Sequence, residues 1–476
     1  MKIPDFKEAS DRSKVITKYK NSDNEYSAIV KNKKYFIRTY GCQMNVHDSE
    51  SMKFFLEVLG FEETDTLEEA DVVILNTCAI RENAKDKLFG FLSRAKHLKE
   101  TKKSNLIIVL CGCLMQVTDE VVFVSEKHKY VDIVIGTHNI EDLPKYIVSK
   151  YKNIKNDEKS IQDIEVLSNS EEIINDIAYK RDSEYTAWVN ITFGCNNFCT
   201  YCIVPYARGR ERSRKKEDIV KEIVELKEKG YKEVTLLGQN VNSYGRDFDY
   251  DYKFSDLLED VAKTGIERIR YVTSNPWNFT DETIDVIKKY DNIMSYVHLP
   301  VQSGSNKVLK SMNRGYTKES YIELFNKIKE NVKNVSITTD IIVGFPGETK
   351  EDFEDTIDLV NKCKFDGAFT FIYSKRAGTP AAKMEDLTPI KEKEERLYEL
   401  NDLINSYSLM NNKKYLEQEC KVLVLGTSLK HENKVYGYSE EMKLVNVAGA
   451  TDKIGQIINV KITGAKSFNL DGQIIE

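Results

Sequence analysis

Nowhere in these 476 residues does an apolar run approach the roughly 18 residues that a membrane-spanning helix needs. The opening stretch MKIPDFKEAS has no apolar core of the kind a signal peptide carries. A strong excess of either sign of charge is missing as well. Seventy basic residues face 76 acidic ones, leaving a net charge of −6. No global field therefore draws the chain to nucleic acid, and any such contact must come from a local patch. There is no repeat of solenoid length. GFPGET (344–349) turns ahead of a helix but lacks the Lys-Ser/Thr pair of a phosphate loop. These absences predict a soluble, cytoplasmic protein with no membrane partner. In that compartment nine cysteines are read as metal ligands, catalytic groups or buried apolar residues rather than disulfides. Hydrophobic residues at 41% argue against disorder, and the length suggests two or three domains.

Residues 1–32 are polar, without a sustained period, and read as a leader. From 33 to 150, strand-like runs at 35–41, 70–78, 105–113 and 130–136 alternate with helical stretches such as 48–59 and 81–98. That alternation predicts a parallel sheet covered by helices. Residues 151–184 are polar and read as a linker. A second alternation fills 185–411, with strands at 186–194, 233–240, 268–276, 295–300, 336–345 and 368–375 and a final helix near 390–410. Six strand–helix units fit a partial (β/α) barrel. From 412 to 476 only short strands and turns appear, which predicts a small β-barrel. That segment holds nine lysines, no arginine and eight acids, so it is near neutral. The fold class expected is α/β, with a small all-β domain at the end.

GCNNFCTYC (194–202) places Cys195, Cys199 and Cys202 in a C-x3-C-x2-C pattern. Nine randomly placed cysteines would produce this spacing ~0.003 times, so chance is a poor explanation. A structural zinc site wants four protein ligands. The nearest other cysteines are Cys113 and Cys363, and the nearest histidines are His138 and His298. Three thiolates suit a [4Fe–4S] cluster with one iron left open to another ligand. The motif follows the first barrel strand, at the end where such sheets hold active sites.

Cys42, Cys78 and Cys113 each fall at or just past the end of a predicted strand, in YGCQMN, NTCAIRENA and CGCLMQ. Strand ends of a parallel sheet share one edge, so the three thiols would converge there as a second site, again one ligand short. The alternative for each is an ordinary buried thiol. Cys111 stands two residues from Cys113, and strand alternation puts both on one face. The flanking glycines favour Cys113, beyond the strand proper.

RTYGCQMN, NTCAIRENA, GCNNFCTYCIVPYARGRERSR, LLGQNVNSYG, HLPVQSGSNKVLKSMNRGYT, TDIIVGFPGET and YSKRAGTPAA stand in an order that resembles the methylthiotransferases, a family of radical S-adenosylmethionine (SAM) enzymes. The likeness covers about 33 to 476. It implies an N-terminal methylthiotransferase domain, a central radical SAM domain and a C-terminal RNA-binding TRAM domain. It also implies that Cys42, Cys78 and Cys113 hold an auxiliary [4Fe–4S] cluster and that Cys195, Cys199 and Cys202 hold the radical SAM cluster. The implied reaction turns C2–H of an adenine into C2–SCH3, on tRNA already carrying N6-dimethylallyladenosine at position 37. One SAM would donate a methyl group to sulfur and a second would generate a radical. An electron donor such as flavodoxin or ferredoxin and a sulfur source would be partners. An aromatic C–H gives acid–base groups no handle, so the two cysteine sets must face one cavity. Siblings acting on threonylcarbamoyladenosine or a ribosomal protein are the alternative substrates. A zinc or redox RNA-binding protein is the alternative class. Lys375 stands where the family pattern leads one to expect proline, and Asn275 where it leads one to expect histidine.

Within that resemblance, Gly238, Gln239 and Asn240 end the second barrel strand, where the cosubstrate would pass, or form an ordinary turn. Gln302 and Ser303 end the fourth strand. Asp340 lies in the fifth, either on the cosubstrate or as a structural carboxylate. Gly347 would let the backbone approach the nucleoside. Arg314 could pair with the cosubstrate carboxylate or sit on the surface. Arg208, Arg210 and Arg212, with Arg214, alternate in ARGRERSR, as an RNA-phosphate contact or as a solvated loop. Tyr436, Tyr438 and Phe468 could stack on bases or pack the small barrel's core.

Overall fold

In the computed structural model the described residues are 30, 32–79, 82–155, 162–166, 179–428 and 433–475, without the side chains of 82–84 and 155. Nearly all of the predicted leader lies outside them, as does most of the predicted linker. The chain forms two compact units. One comprises Met1–Asp182, Phe193–Arg212 and Arg376–Ala382. The other comprises Ser183–Thr192, Ser213–Lys375 and Lys383–Glu476.

The first unit is built on runs of β-branched and aliphatic residues too long to leave one face wet. Val72–Thr77 and Ile107–Cys111 are buried throughout, as strands covered on both faces must be. The strands are β1 (Lys34–Tyr40), β2 (Glu62–Glu63), β3 (Val72–Thr77), β4 (Ile107–Cys111), β5 (Ile133–Ile135) and β6 (Asp163–Glu165). They form one parallel sheet in the order β2-β1-β3-β4-β5-β6. Alternation sorts the side chains. Val73, Leu75, Ile108 and Leu110 pack with Leu88, Phe91 and Leu92 of helix Glu82–Thr101. Val72, Ile74 and Val109 pack with Met52 and Leu56 of helix Gln43–Val58, and with Leu143 and Ile147.

Strand β6 corrects the linker expectation. Asp163 of β6 pairs with the buried Lys150 at 3.0 Å, and Asn139 Nδ2 donates to Glu165 O at 2.7 Å. Lys180 and Asp182 are likewise held, Lys180 by Glu57 and Glu63 and Asp182 by Lys53. Polar residues anchored by ion pairs and main-chain bonds leave no apolar periodicity to read.

In the second unit, Thr186–Asn190, Glu233–Leu237 and Arg268–Tyr271 form one parallel sheet. Tyr296–His298, Ser336–Val343 and Gly367–Ile372 form another. Ile269 bridges to Ile293, with Ile269 N–H donating to Asn292 O at 2.8 Å, so the six strands continue around a partial barrel. Val189, Val234, Ile269, Val297, Ile337 and Ile341 pack against the helices. Thr317, Thr349, Thr280 and Ser305 cap the helices that follow them, each side-chain oxygen accepting from a backbone N–H in the first turn. Helices Phe254–Lys263 and Asn306–Ser311 add to those expected. Helix Ile390–Lys413 packs on the last barrel strand, where Thr370 Oγ1 donates to Asn401 Oδ1 at 2.6 Å.

Glu419–Thr427, Lys434–Ser439, Leu444–Ala448, Leu470–Ile474 and Ile457–Ala465 close, in that order, into a five-stranded barrel around Val422, Val435, Val447, Val460 and Leu470. Tyr436 and Tyr438 are half-buried in it, while Phe468 is 77% exposed. No helix among the described residues is long and apolar enough to cross a membrane.

Candidate metal centre

Three adjacent strands, β1, β3 and β4, deliver Cys42, Cys78 and Cys113 to one edge of the sheet. Tyr40 is in register with Thr77, and Asn76 with Cys111, so each cysteine lies one or two residues past a matched end. Two of these turns need glycine. A Cβ on Gly41 would lie 2.4 Å from Asn45 Oδ1. One on Gly112 would lie 2.3 Å from Asn76 Oδ1 and 2.5 Å from Thr77 O. Gly112 also has φ 94° and ψ −173°, a conformation that glycine alone adopts readily. Buried amides brace the edge. Asn45 Nδ2 donates to Asn76 Oδ1 at 3.0 Å, and Asn76 Nδ2 donates to Asn45 O at 2.8 Å and Ser49 Oγ at 3.0 Å.

The thiols are differently tuned. Cys42 caps the helix Gln43–Val58. Its hydrogen bond with Cys78 lowers its pKa to about 6, against burial, with help from Arg208 and the Asn45 and Met44 amides. Burial pushes Cys113 up to about 11, and Arg208 opposes that push. Cys111 is fully buried in the core, 3.7 Å from Met52 Sδ, and burial drives its pKa upward.

Cys195 and Cys199 are buried and Cys202 half-buried, in a loop that folds tightly. Gly194 has φ 72°, and a Cβ there would sit 2.0 Å from Arg210 O. Cys195 N–H donates to Gly209 O at 3.2 Å, Cys202 N–H to Cys199 O at 2.9 Å, and Ala381 N–H to Thr200 O at 2.8 Å. Burial raises the Cys195 pKa, the Asn197 amide opposes the rise, and the charges of Cys202 and Cys199 add to it.

This loop belongs to the same unit as the sheet edge. Helix Val204–Arg208 follows Cys202, and its Ala207 packs with Ile203, Ala79 and Cys113. Thr137 Oγ1 donates to Ala207 O at 2.9 Å. Arg208 is 5% exposed, with Nη2 2.7 Å from Asp48 Oδ2 and Nε 3.2 Å from Cys113 Sγ. The expectation that Arg208 meets RNA phosphate is therefore corrected: its donors turn inward. Arg214 is buried too, on Glu222 and Asn190 O at 2.8 Å each. Arg210 is exposed and Arg212 half-buried. Asp48 lies three residues beyond RTYGCQMN, in the helix that motif begins, and the sequence reading gave it no role. No three His, Cys, Asp or Glu side chains among the described residues are drawn together as a site for a single metal ion would be.

In the second unit, Gly238, Gln239 and Asn240 follow strand Glu233–Leu237. Gly238 has its own steric reason, since a Cβ would meet Thr192 Oγ1 at 2.3 Å. Asn240 Nδ2 donates to Asn278 Oδ1 at 2.9 Å. Gln302 has φ 70° and bridges to Ile341. Ser303 Oγ accepts from Ser305 N–H at 3.2 Å. Asp340 Oδ1 lies 3.3 Å from His298 Nε2, and His298 Nδ1 lies 2.9 Å from Thr338 Oγ1. Reading the sequence gave His298 no role here. Gly347 has open space around it. Arg314 gives Nε to Tyr316 Oη at 3.0 Å and Nη2 to Pro300 O at 3.1 Å, with its guanidinium against Trp277. These engagements brace a loop and replace the surface reading. Asn275 is buried, its N–H donating to Asn242 Oδ1 at 3.2 Å.

Residues 189–360 match the radical SAM superfamily, 34–136 the Uncharacterized protein family UPF0004, and 413–475 the TRAM domain. The tRNA-2-methylthio-N(6)-dimethylallyladenosine synthase of Bacillus cytotoxicus is 49% identical over 99% of this chain and 92% of its own length. The chain belongs to the methylthiotransferase family of radical SAM enzymes. The synthases of the same name from Bacillus subtilis (47%) and Staphylococcus epidermidis (46%) match over 99% of this chain and 92% and 91% of theirs. Among solved structures, the radical SAM methyltransferase TsrM of Kitasatospora setae, with tryptophan substrate and a SAM analogue bound, gives a TM-score of 0.54. It is 13% identical over 74% of this chain and 75% of that one, a likeness of fold alone. As a family member the enzyme uses SAM and two [4Fe–4S] clusters.

Proposed function

We propose that this chain methylthiolates C2 of N6-dimethylallyladenosine at position 37 of tRNA, giving 2-methylthio-N6-dimethylallyladenosine. The geometry that supports this reading is the packing, within one unit, of the segment that follows Cys202 on Cys113, one of the three cysteines at the sheet edge. The substrate comes from the full-length identity to synthases of that name.

The donor set fits iron–sulfur clusters. Each trio offers three soft sulfur donors, one short of a closed four-ligand site. Cys42 is already acidic, and a buried cation faces Cys113, as an anionic cluster would require. Cys42, Cys78 and Cys113 would hold the auxiliary cluster. Cys195, Cys199 and Cys202 would hold the other, whose open iron takes SAM. When bound, these groups supply one-electron cleavage of the sulfonium and a sulfur that accepts a methyl group. The protein's own work is to keep the trios apart but fixed, and to present the adenine. Gly238, Gln239, Asn240, Gln302 and Ser303 sit at or near barrel-strand ends, where a cosubstrate binds in such folds, and Asp340 lies within strand Ser336–Val343. The exposed Arg210, with Arg212 beside it, and the exposed Phe468 are the residues offered to RNA. Position 37 is in a single-stranded loop, so its base is exposed at less cost than one in a duplex. A flavodoxin- or ferredoxin-type electron donor and a sulfur source complete the cycle, in the cytoplasm where tRNA is modified.

Nucleoside analysis of tRNA from cells lacking this protein tests the assignment. Dimethylallyladenosine without the methylthio group is expected to accumulate. An unchanged profile refutes the assignment, and loss of methylthiolated threonylcarbamoyladenosine instead would move the enzyme to a sibling substrate.

A further inference from the structure

Arg208 occupies a place its sequence context does not suggest. It lies six residues beyond Cys202, ends the helix Val204–Arg208, and is nine-tenths or more buried. A guanidinium so far from water needs partners for both charge and donors. Asp48, 8% exposed, neutralises one arm at 2.7 Å. The other arm is spent on a sulfur, with Nε 3.2 Å from Cys113 Sγ. Arginine's planar fork can hold a carboxylate and aim at a thiolate at once, which a single ammonium cannot do in the same geometry. Thr137 and the Ala79–Cys113–Ile203–Ala207 contact fix the helix from which Arg208 projects.

We propose that Arg208 is a positioning residue that sets the hydrogen bonding and local charge of the Cys113 thiolate, and through it the reduction potential of the auxiliary cluster. The proposal rests on the reading that Cys42, Cys78 and Cys113 hold that cluster. An N–H donated to a ligand sulfur, with a positive charge behind it, favours the form carrying the extra electron. Asp48 works in the opposite sense, because its carboxylate offsets the arginine charge. Arg208 also belongs to the segment of Cys195–Cys202, so one side chain couples the placement of the radical-site loop to the electronics of the other trio.

The test is a potentiometric titration followed by electron paramagnetic resonance, on anaerobically reconstituted wild type, R208Q, R208K and D48N, with iron and sulfide counted in each. The radical-site signal is identified by its change on adding SAM. R208Q is expected to move the auxiliary couple at least tenfold toward the oxidised state, about 59 mV for one electron. R208K is expected to fall between it and wild type. D48N is expected to move the couple the other way. The radical-site couple is expected to stay in place throughout. Shifts of opposite sign from two partners are not produced by general loosening. An auxiliary couple that does not move, that moves in one direction in both variants, or that moves together with the radical-site couple overturns the proposal. Should R208Q lose its auxiliary cluster, R208K and D48N decide by the same signs. A wild-type protein that binds only one cluster would instead remove the underlying assignment of Cys42, Cys78 and Cys113.

Discussion

Replacing Gly112 by alanine tests whether the sheet edge is shaped to present Cys113. The residue sits at φ 94° and ψ −173°, a region that is essentially glycine-only and costs other residues about 1–3 kcal/mol. The added methyl would also meet two fixed atoms. Thr77 O, 2.5 Å away, is main chain at the end of β3 and cannot yield without moving the strand. Asn76 Oδ1, 2.3 Å away, accepts from Asn45 Nδ2, and the same side chain donates to Asn45 O and Ser49 Oγ. Pushing it aside strands a fully buried amide, a loss of about 1–3 kcal/mol. The sum, ~2–6 kcal/mol, is a large share of the 5–15 kcal/mol that holds a typical domain together. The strain is centred on the residue before Cys113, so cluster binding should fail before the fold does. On anaerobic reconstitution G112A is expected to bind about half the wild-type iron and to keep the SAM-responsive signal. Hydrogen exchange should accelerate at Val72–Thr77 and Ile107–Cys111. Gly90→Ala is the control: nothing lies within 4 Å of its Cβ position, which is mid-helix, and alanine there should stabilise by about 0.5–1 kcal/mol. G112A with full iron content and wild-type exchange would refute the reasoning.

Further outcomes are expected. Cys111→Ala should leave the iron content unchanged at a stability loss of about 1 kcal/mol, because its thiol faces Met52 in the core, whereas Cys113→Ala should lose the auxiliary cluster; iron analysis of both variants checks this. Asp366 is buried and binds Lys443 Nζ, Lys329 Nζ and Ile337 N–H at 3.0 Å each, so Asp366→Asn should destabilise the second unit by about 3–5 kcal/mol in denaturant unfolding. Burial pushes the Asp366 pKa up, but the two lysines and the amide outweigh it and hold it below the ordinary value. Its contribution is therefore complete above about pH 4 and is lost as pH falls through the depressed value, a dependence D366N should lack.

Much of the candidate centre is legible without coordinates, because it depends on chain-local facts. The spacing of Cys195, Cys199 and Cys202 is covalent. Cys42, Cys78 and Cys113 follow apolar runs whose character forces them into strands, and parallel strands put their ends on one edge. Gly112 beside Cys113 marks a backbone bend that other residues resist. Other features were hidden for equally physical reasons. Asp163–Glu165 is polar and joins the sheet through backbone pairing, a signal composition does not carry. Arg314 looks like any exposed arginine until Trp277 and Pro300 are brought to it.

The sequence by itself determined how the cysteines are spaced, which of them follow apolar runs, and the order of the domains that carry them, since spacing and hydrophobic period act along the chain. Only the tertiary structure decided what surrounds those thiols. Arg208 stands in a run of alternating arginines that looks solvated, yet it meets Asp48, 160 residues earlier, and Cys113, 95 residues earlier, away from water. A charge's partner and its burial depend on where distant segments cross, and no local pattern records that.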